Sequence, residues 1–128
     1  MGSDHTYHHK VKYYECDRMG ITHHSNYVRF MEEARIDHLE QLGYGFDRLE
    51  AEGVTSPVVS ISCNYRKPTT FNDVVEIRTV IKEIKAARLT IEYTMTVGAD
   101  MVFTGESVHC FIENGRPVRI EERFPLLH

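Results

Sequence analysis

One stretch constrains the fold more than any other: Glu15 to Gly43, ECDRMGITHHSNYVRFMEEARIDHLEQLG. It opens on an acidic turn, Glu15-Cys16-Asp17, bends at Gly20 and collects His23 and His24. A single long helical pattern follows. Apolar or aromatic residues fall at Tyr27, Phe30, Met31 and Ala34, with a second row at Val28, Met31 and Leu39, which is helical rather than strand spacing. Leu42-Gly43 reads as the stop, because glycine accepts the left-handed conformation that ends helices. An apolar arc this broad predicts a helix largely enclosed by the rest of the chain.

The rest is almost wholly strand. Tyr7 to Tyr14 predicts a first strand, with Val11 and Tyr13 alternating against Lys10 and Lys12, and the polar Met1 to Thr6 ahead of it is expected to be loose. Phe46 to Glu52 predicts a short second helix closed by Gly53. Val58 to Arg66 alternates Val59, Ile61, Cys63 and Tyr65 with polar residues until Pro68 ends it. Val74 to Ile84 carries Val75, Ile77, Thr79 and Ile81 on one face, and Leu89 to Val97 carries Leu89, Ile91, Tyr93, Met95 and Val97. Met101 to Ile112 sets Val102, Val108, Cys110 and Ile112 on one side, with Gly105 a candidate bulge or bend. Asn114-Gly115 is a hairpin turn signal, Val118 to Glu121 a short strand, and Phe124-Pro125-Leu126-Leu127 an apolar tail that docks on the body or a neighbouring subunit. Short connections and period-two alternation mean antiparallel pairing. The predicted class is α+β, a curved antiparallel sheet wrapped around one long helix, in a single domain spanning residues 1–128. The sheet cannot cover the helix and protect its own edges together, so self-association is expected.

Composition narrows the function classes. A net charge of −4 gives no global attraction to nucleic acid or an anionic membrane. Three cysteines, Cys16, Cys63 and Cys110, stand far apart with no paired spacing, which fits a reducing cytoplasm rather than a disulfide framework or zinc knuckle. No apolar run reaches membrane-spanning length, and the N-terminus lacks a signal-peptide core. His5, His8 and His9 have no cysteine or carboxylate spaced to complete a metal shell, so neither metal nor cofactor is expected.

The residues around the acidic turn are more specific. Tyr14 to Ile21, then His24-Ser25-Asn26-Tyr27, Arg29-Phe30, Glu32 and Ala34-Arg35, resemble the hot-dog-fold acyl-CoA thioesterases of the 4-hydroxybenzoyl-CoA thioesterase type. Tyr65-Arg66-Lys67-Pro68, with Asp73 following, looks like the Tyr-x-Lys-Pro segment of the same group. The resemblance implies a hot-dog fold and hydrolysis of an acyl-CoA to acid and coenzyme A. It implies Asp17 as the catalytic carboxylate and a backbone N–H at the start of the central helix, at His24, as the donor to the thioester oxygen. Asn26 and Tyr27 become substrate-positioning residues that hold the loop, and Lys85 and Arg88, in the hairpin between middle strands, become the grip on the coenzyme A phosphates. It implies a homodimer or homotetramer with sites between subunits. Departures from the pattern fall at Glu15 and Cys16, where Asp-Thr is usual, at Arg18, where a small residue is usual, and at His23, where Tyr is common.

The chemistry supports that assignment from below. A thioester carbonyl is electrophilic and its thiolate leaves readily, so one carboxylate suffices, either attacking to form an anhydride or activating water. An N–H at a helix N-terminus, backed by the helix dipole, stabilises the oxyanion. Taken alone, Asp17 is an ordinary turn residue and His24 a structural histidine; Cys16 has no paired base, and Glu32 and Glu33 pair plausibly with Arg29 or Arg35. Two other readings stand beside the acyl-CoA hydrolase. One is an acyl-carrier-protein thioesterase, which needs a basic docking face. The other is a non-catalytic acyl-CoA-binding module.

Overall fold

The computed structural model describes residues 4–127. Its elements are β1 (Asp4–Lys10), a 3₁₀ turn (Tyr13–Glu15), α1 (Ser25–Gln41), α2 (Phe46–Ala51), β2 (Val54–Thr55) and β3 (Val58–Tyr65). There follow β4 (Val74–Lys85), β5 (Arg88–Val97), β6 (Asp100–Cys110), β7 (Ile112–Glu113), β8 (Arg116–Pro117), α3 (Ile120–Arg123) and a closing 3₁₀ turn (Pro125–Leu127). Five strands make one antiparallel sheet in the order β1-β4-β5-β6-β3, and β2-β7-β8 make a small second sheet. No described helix is long and apolar enough to cross a membrane.

Alternation explains the sheet. Along β4 and β5, Val75, Ile77, Ile81, Leu89, Ile91, Tyr93 and Met95 are buried while Glu76, Arg78 and Glu92 face out. Against the buried face α1 lays Phe30, Met31, Ala34 and Leu39, one stripe at helical spacing. The larger of these, Phe30, Met31 and Leu39, each contribute about 1.5–3 kcal/mol by leaving water. The ladder slips one residue at Lys82 and again at Val102. Bulges of this kind bend a strand and sharpen its twist, which turns a flat ladder around a helix.

Four expectations change. β1 ends at Lys10, because its partner β4 begins at Val74 and offers no further pairing. Val11 instead donates its N–H to Asp73 O (2.8 Å), and the chain turns through Tyr13–Glu15, leaving Tyr13 exposed. Asp4 to Thr6, expected to be loose, belong to β1 and pair with Val80, Thr79 and Arg78; Met1 to Ser3 lie outside the described residues. On β6 the ladder runs through Gly105 without a slip. Glycine is required there because a Cβ would stand 2.8 Å from both Ser62 O and the Phe103 ring. After Asn114-Gly115, whose φ values of 52° and 82° close the hairpin, β8 is only Arg116–Pro117, and Ile120–Arg123 is a helical turn rather than a strand. Phe124 and Leu127 are buried on the body.

The side of β6 that faces α1 is partly polar: Phe103, Gly105, Ser107 and His109, while Val108 and Cys110 lie half-buried on the other side. Ser107 and His109 are accommodated by a buried chain. Arg35 Nη1 donates to His109 Nδ1 (2.6 Å), His109 Nε2 meets Ser107 Oγ (2.7 Å), and Ser107 Oγ meets the Tyr93 hydroxyl (2.7 Å). Burial first, then the Arg35 charge, pushes the His109 pKa down to about 3. His38, buried with Nδ1 2.7 Å from Thr79 Oγ1, is pushed down to about 4, chiefly by burial and then by His5.

These two imidazoles make the fold acid-sensitive. Unfolded, each takes up a proton near pH 6.5; folded, neither does until the pH nears 4 or 3. Between those limits the unfolded state binds more protons, so stability present above pH 6.5 is lost as pH falls. The expected slope approaches about 1.4 kcal/mol per pH unit for each imidazole. Urea unfolding at pH 7, 6 and 5 measures it, and a midpoint that stays constant across that range would contradict two neutral buried histidines.

Candidate active site

The loop between the 3₁₀ turn and α1 folds back on itself. Cys16 bridges Thr22 and Ile21 bridges Thr70, with Asp17 at the start of the enclosed turn. Asp17 N–H donates to Ile21 O (2.8 Å) and Gly20 N–H to Asp17 O (3.0 Å); Gly20 sits at φ 80°, where a side chain is strained. Met19 N–H donates to Asp17 Oδ1 (2.8 Å), an Asx-type turn that holds the carboxylate. Among the described residues, Oδ2 accepts no hydrogen bond and remains available for chemistry.

Glu15 ties this loop to the helix. Its carbonyl accepts the His23 N–H (2.8 Å) and Asn26 Nδ2 (2.8 Å), so the turn that carries Asp17 and the first turn of α1 share one anchor. Asn26 is buried behind the cleft in that supporting position. His24 is the N-cap residue of α1. Its carbonyl accepts the Tyr27 N–H (3.2 Å) and the Tyr65 hydroxyl (3.3 Å), and its ring stacks on His23 at 4.3 Å. Its own N–H donates to no other group among the described residues. Tyr27 is buried, stacked on Phe103 at 5.2 Å, with its hydroxyl 2.9 Å from Thr69 Oγ1; burial pushes its pKa up.

Asp17, His24 and Tyr27 line one cleft of about 340 Å³ at the N-terminus of α1. Tyr65, Arg66 and Lys67 line it as well. These three were not among the expected site residues, although the Tyr65-Arg66-Lys67-Pro68 motif pointed to their segment. Lys67 is steadied by Asp100 (3.0 Å), both exposed. Asp17 also borders a second cleft of about 740 Å³ with Tyr13, Arg18 and Phe71.

Lys85 and Arg88 are not brought together with these residues. They pair with each other at the opposite end of the sheet, seven positions along β5 from Met95, the residue level with Phe103 and Tyr65. That is a separation of roughly 23 Å along the strand. Glu32 stays exposed and Glu33 accepts the Tyr7 hydroxyl (2.8 Å), so neither faces the cleft.

An antiparallel sheet carrying one long helix, with a carboxylate beside that helix's N-terminus, is the hot-dog arrangement of a thioester hydrolase. The chain belongs to the thioesterase-like superfamily, whose family pattern matches residues 11–125. It is 30% identical over 122 residues to YneP of Bacillus subtilis, provisionally described as an acyl-CoA thioesterase, covering 93% of this chain and 88% of that one. A hypothetical protein of Aquifex aeolicus superposes with a TM-score of 0.92 at 31% identity, covering 97% of this chain and 99% of the other. A variant 4-hydroxybenzoyl-CoA thioesterase solved with 4-hydroxybenzoyl-CoA shares the fold, with a TM-score of 0.86 at 20% identity over 98% and 99% of the two chains.

Proposed function

We propose that this protein hydrolyses acyl-CoA thioesters, with Asp17 as nucleophile or general base and the His24 backbone N–H as oxyanion donor. The observation that carries the reading is the single cleft shared by Asp17 and the start of α1. A thioester carbonyl seated there meets a carboxylate oxygen with no donor and an N–H with no acceptor among the described residues. Attack by Asp17 forms a tetrahedral oxyanion, which collapses with loss of the coenzyme A thiolate to leave an acyl anhydride on Asp17; water then releases the acid. In the general-base variant Asp17 takes the proton from water, and the same oxyanion forms. Either way the developing charge faces the positive end of a 17-residue helix. Asn26 and Tyr27 hold the loop and the cleft wall rather than react.

The working form in this account is a homodimer paired through β3, the basic unit of any tetramer. Along this edge Val58, Val59, Ile61 and Tyr65 are 40–50% exposed, with no lysine or proline within Val58–Tyr65 to discourage pairing. The opposite edge, β1, is polar by comparison. Antiparallel pairing of β3 with its copy about a twofold axis near Ile61 brings the second copy's Pro57 end beside Tyr65. Arg88 of the second copy then lies at the cleft's end of the joined sheet, about three strand spacings or roughly 14 Å away, and Lys85 lies one strand further, at roughly 19 Å. In that arrangement they meet the coenzyme A phosphates, a role they cannot fill within their own chain. The free, half-buried cysteines are consistent with the reducing cytoplasm.

Arg66 and Lys67 at the cleft mouth also keep an acidic carrier protein in view as the thiol donor. The same acyl group presented on coenzyme A and on a carrier-protein phosphopantetheine tests this. Faster turnover of the coenzyme A ester, measured as kcat/KM, supports the proposal; faster turnover of the carrier ester replaces it with the carrier-protein reading.

A further inference from the structure

The acidic turn contains a second carboxylate that the chemistry above does not use. Glu15 is buried, yet no lysine or arginine pairs with it. Its Oε1 accepts the Lys12 N–H (2.8 Å) and contacts His9 Nε2 (2.8 Å). His9 is itself buried, packed against the Phe30 ring at 4.2 Å, and its Nδ1 stands 3.3 Å from Glu33 Oε1, the oxygen that also accepts the Tyr7 hydroxyl. One imidazole from β1 thus bridges a carboxylate of the 3₁₀ turn and a carboxylate of α1. The titratable groups around it are Glu15 on the turn, Glu33 on α1 and Tyr7 on its own strand.

This bridge sits where the two halves of the site join. The Glu15 carbonyl takes one hydrogen bond from His23, the residue before the oxyanion donor, and one from Asn26 in the first turn of α1. Two residues further on stands Asp17. The orientation of Glu15 therefore sets the spacing between the attacking carboxylate and the helix N-terminus. We infer that His9 is a positioning residue for the hydrolysis: by holding Glu15 from β1 and Glu33 from α1 it fixes the separation of Asp17 from the His24 N–H. This inference rests on the assignment of Asp17 as the catalytic carboxylate. Displacement of a reacting group by about 1 Å costs up to a hundredfold in rate, so the seat matters although it touches no substrate.

The test compares His9→Phe, which keeps the ring packing on Phe30 and removes both polar contacts, with His9→Gln, which restores a donor toward Glu15. The expected result is a fall in kcat of roughly tenfold or more in His9→Phe with KM changed less than about twofold, and substantial recovery of kcat in His9→Gln. Should His9→Phe fail to fold, Glu15→Met, similar in length but with no oxygen to accept from His9, takes its place with the same expected fall in kcat. Wild-type kcat in the folded His9→Phe or Glu15→Met protein overturns the inference, as does a purely KM effect. Asp17→Asn is measured in parallel. Turnover that survives in Asp17→Asn defeats the catalytic assignment itself and the inference with it, whereas loss in Asp17→Asn beside wild-type kcat in His9→Phe defeats the inference alone.

Discussion

Asp17→Asn is expected to lower kcat on acyl-CoA thioesters by about 10²–10⁴-fold while leaving fold and assembly intact. The substitution keeps the Oδ1 acceptor that receives the Met19 N–H, so the Asx-type turn and the small ladder of Cys16 with Thr22 persist. What it removes is the charge on the oxygen that faces the cleft. An amide neither attacks a thioester nor takes a proton from water, and the Tyr27 hydroxyl, engaged with Thr69, does not replace it. KM should change little, because the loss falls on the transition state rather than on ground-state contacts. Steady-state kinetics with thiol detection reads both constants. Unchanged kcat would remove Asp17 from the chemistry.

Ile61→Arg is expected to convert the assembly to monomers and to depress turnover by about a hundredfold. Ile61 lies mid-strand on the exposed edge and is paired to Ser107 on one side only, so the change costs the single chain little. In a twofold pairing centred there, two arginines face each other across the axis, and like charges brought together at an interface cost several kcal/mol. Sedimentation velocity distinguishes the two states, and the activity of the monomer tells whether the second copy's Lys85 and Arg88 take part. A folded Ile61→Arg protein that stays dimeric and fully active would rule out β3 as the joining edge.

The parts of this molecule legible in its sequence are those set by local period. The buried stripe of α1 and the inward faces of β4 and β5 follow from spacing alone, since each residue's partner is the neighbouring element throughout. The end of β1 was not legible, because it depends on where β4 begins, more than sixty residues later. Nor was the inward face of β6. Ser107 and His109 belong in the core because Arg35, 74 residues from His109, reaches the imidazole, which in turn meets Ser107 beside the Tyr93 hydroxyl. Asp17, His24 and Tyr27 were legible as a group because one loop and one helix start deliver all three. The basic residues were harder to read. Lys85 and Arg88 look like a phosphate grip in the sequence, whereas the basic side chains at the cleft within this chain are Arg66 and Lys67, brought there by the end of an edge strand.

The measurement that bears most directly on the central claim is coenzyme A release by the wild-type protein from short, medium, long and aryl acyl-CoA thioesters under multiple-turnover conditions. A hydrolase built on Asp17 and the α1 N-terminus releases free thiol catalytically from at least one of them, and the ranking of rates identifies the acyl group its cleft accepts. Saturable acyl-CoA binding with no thiol released from any member of the panel would contradict the account and make the protein an acyl-CoA-binding module.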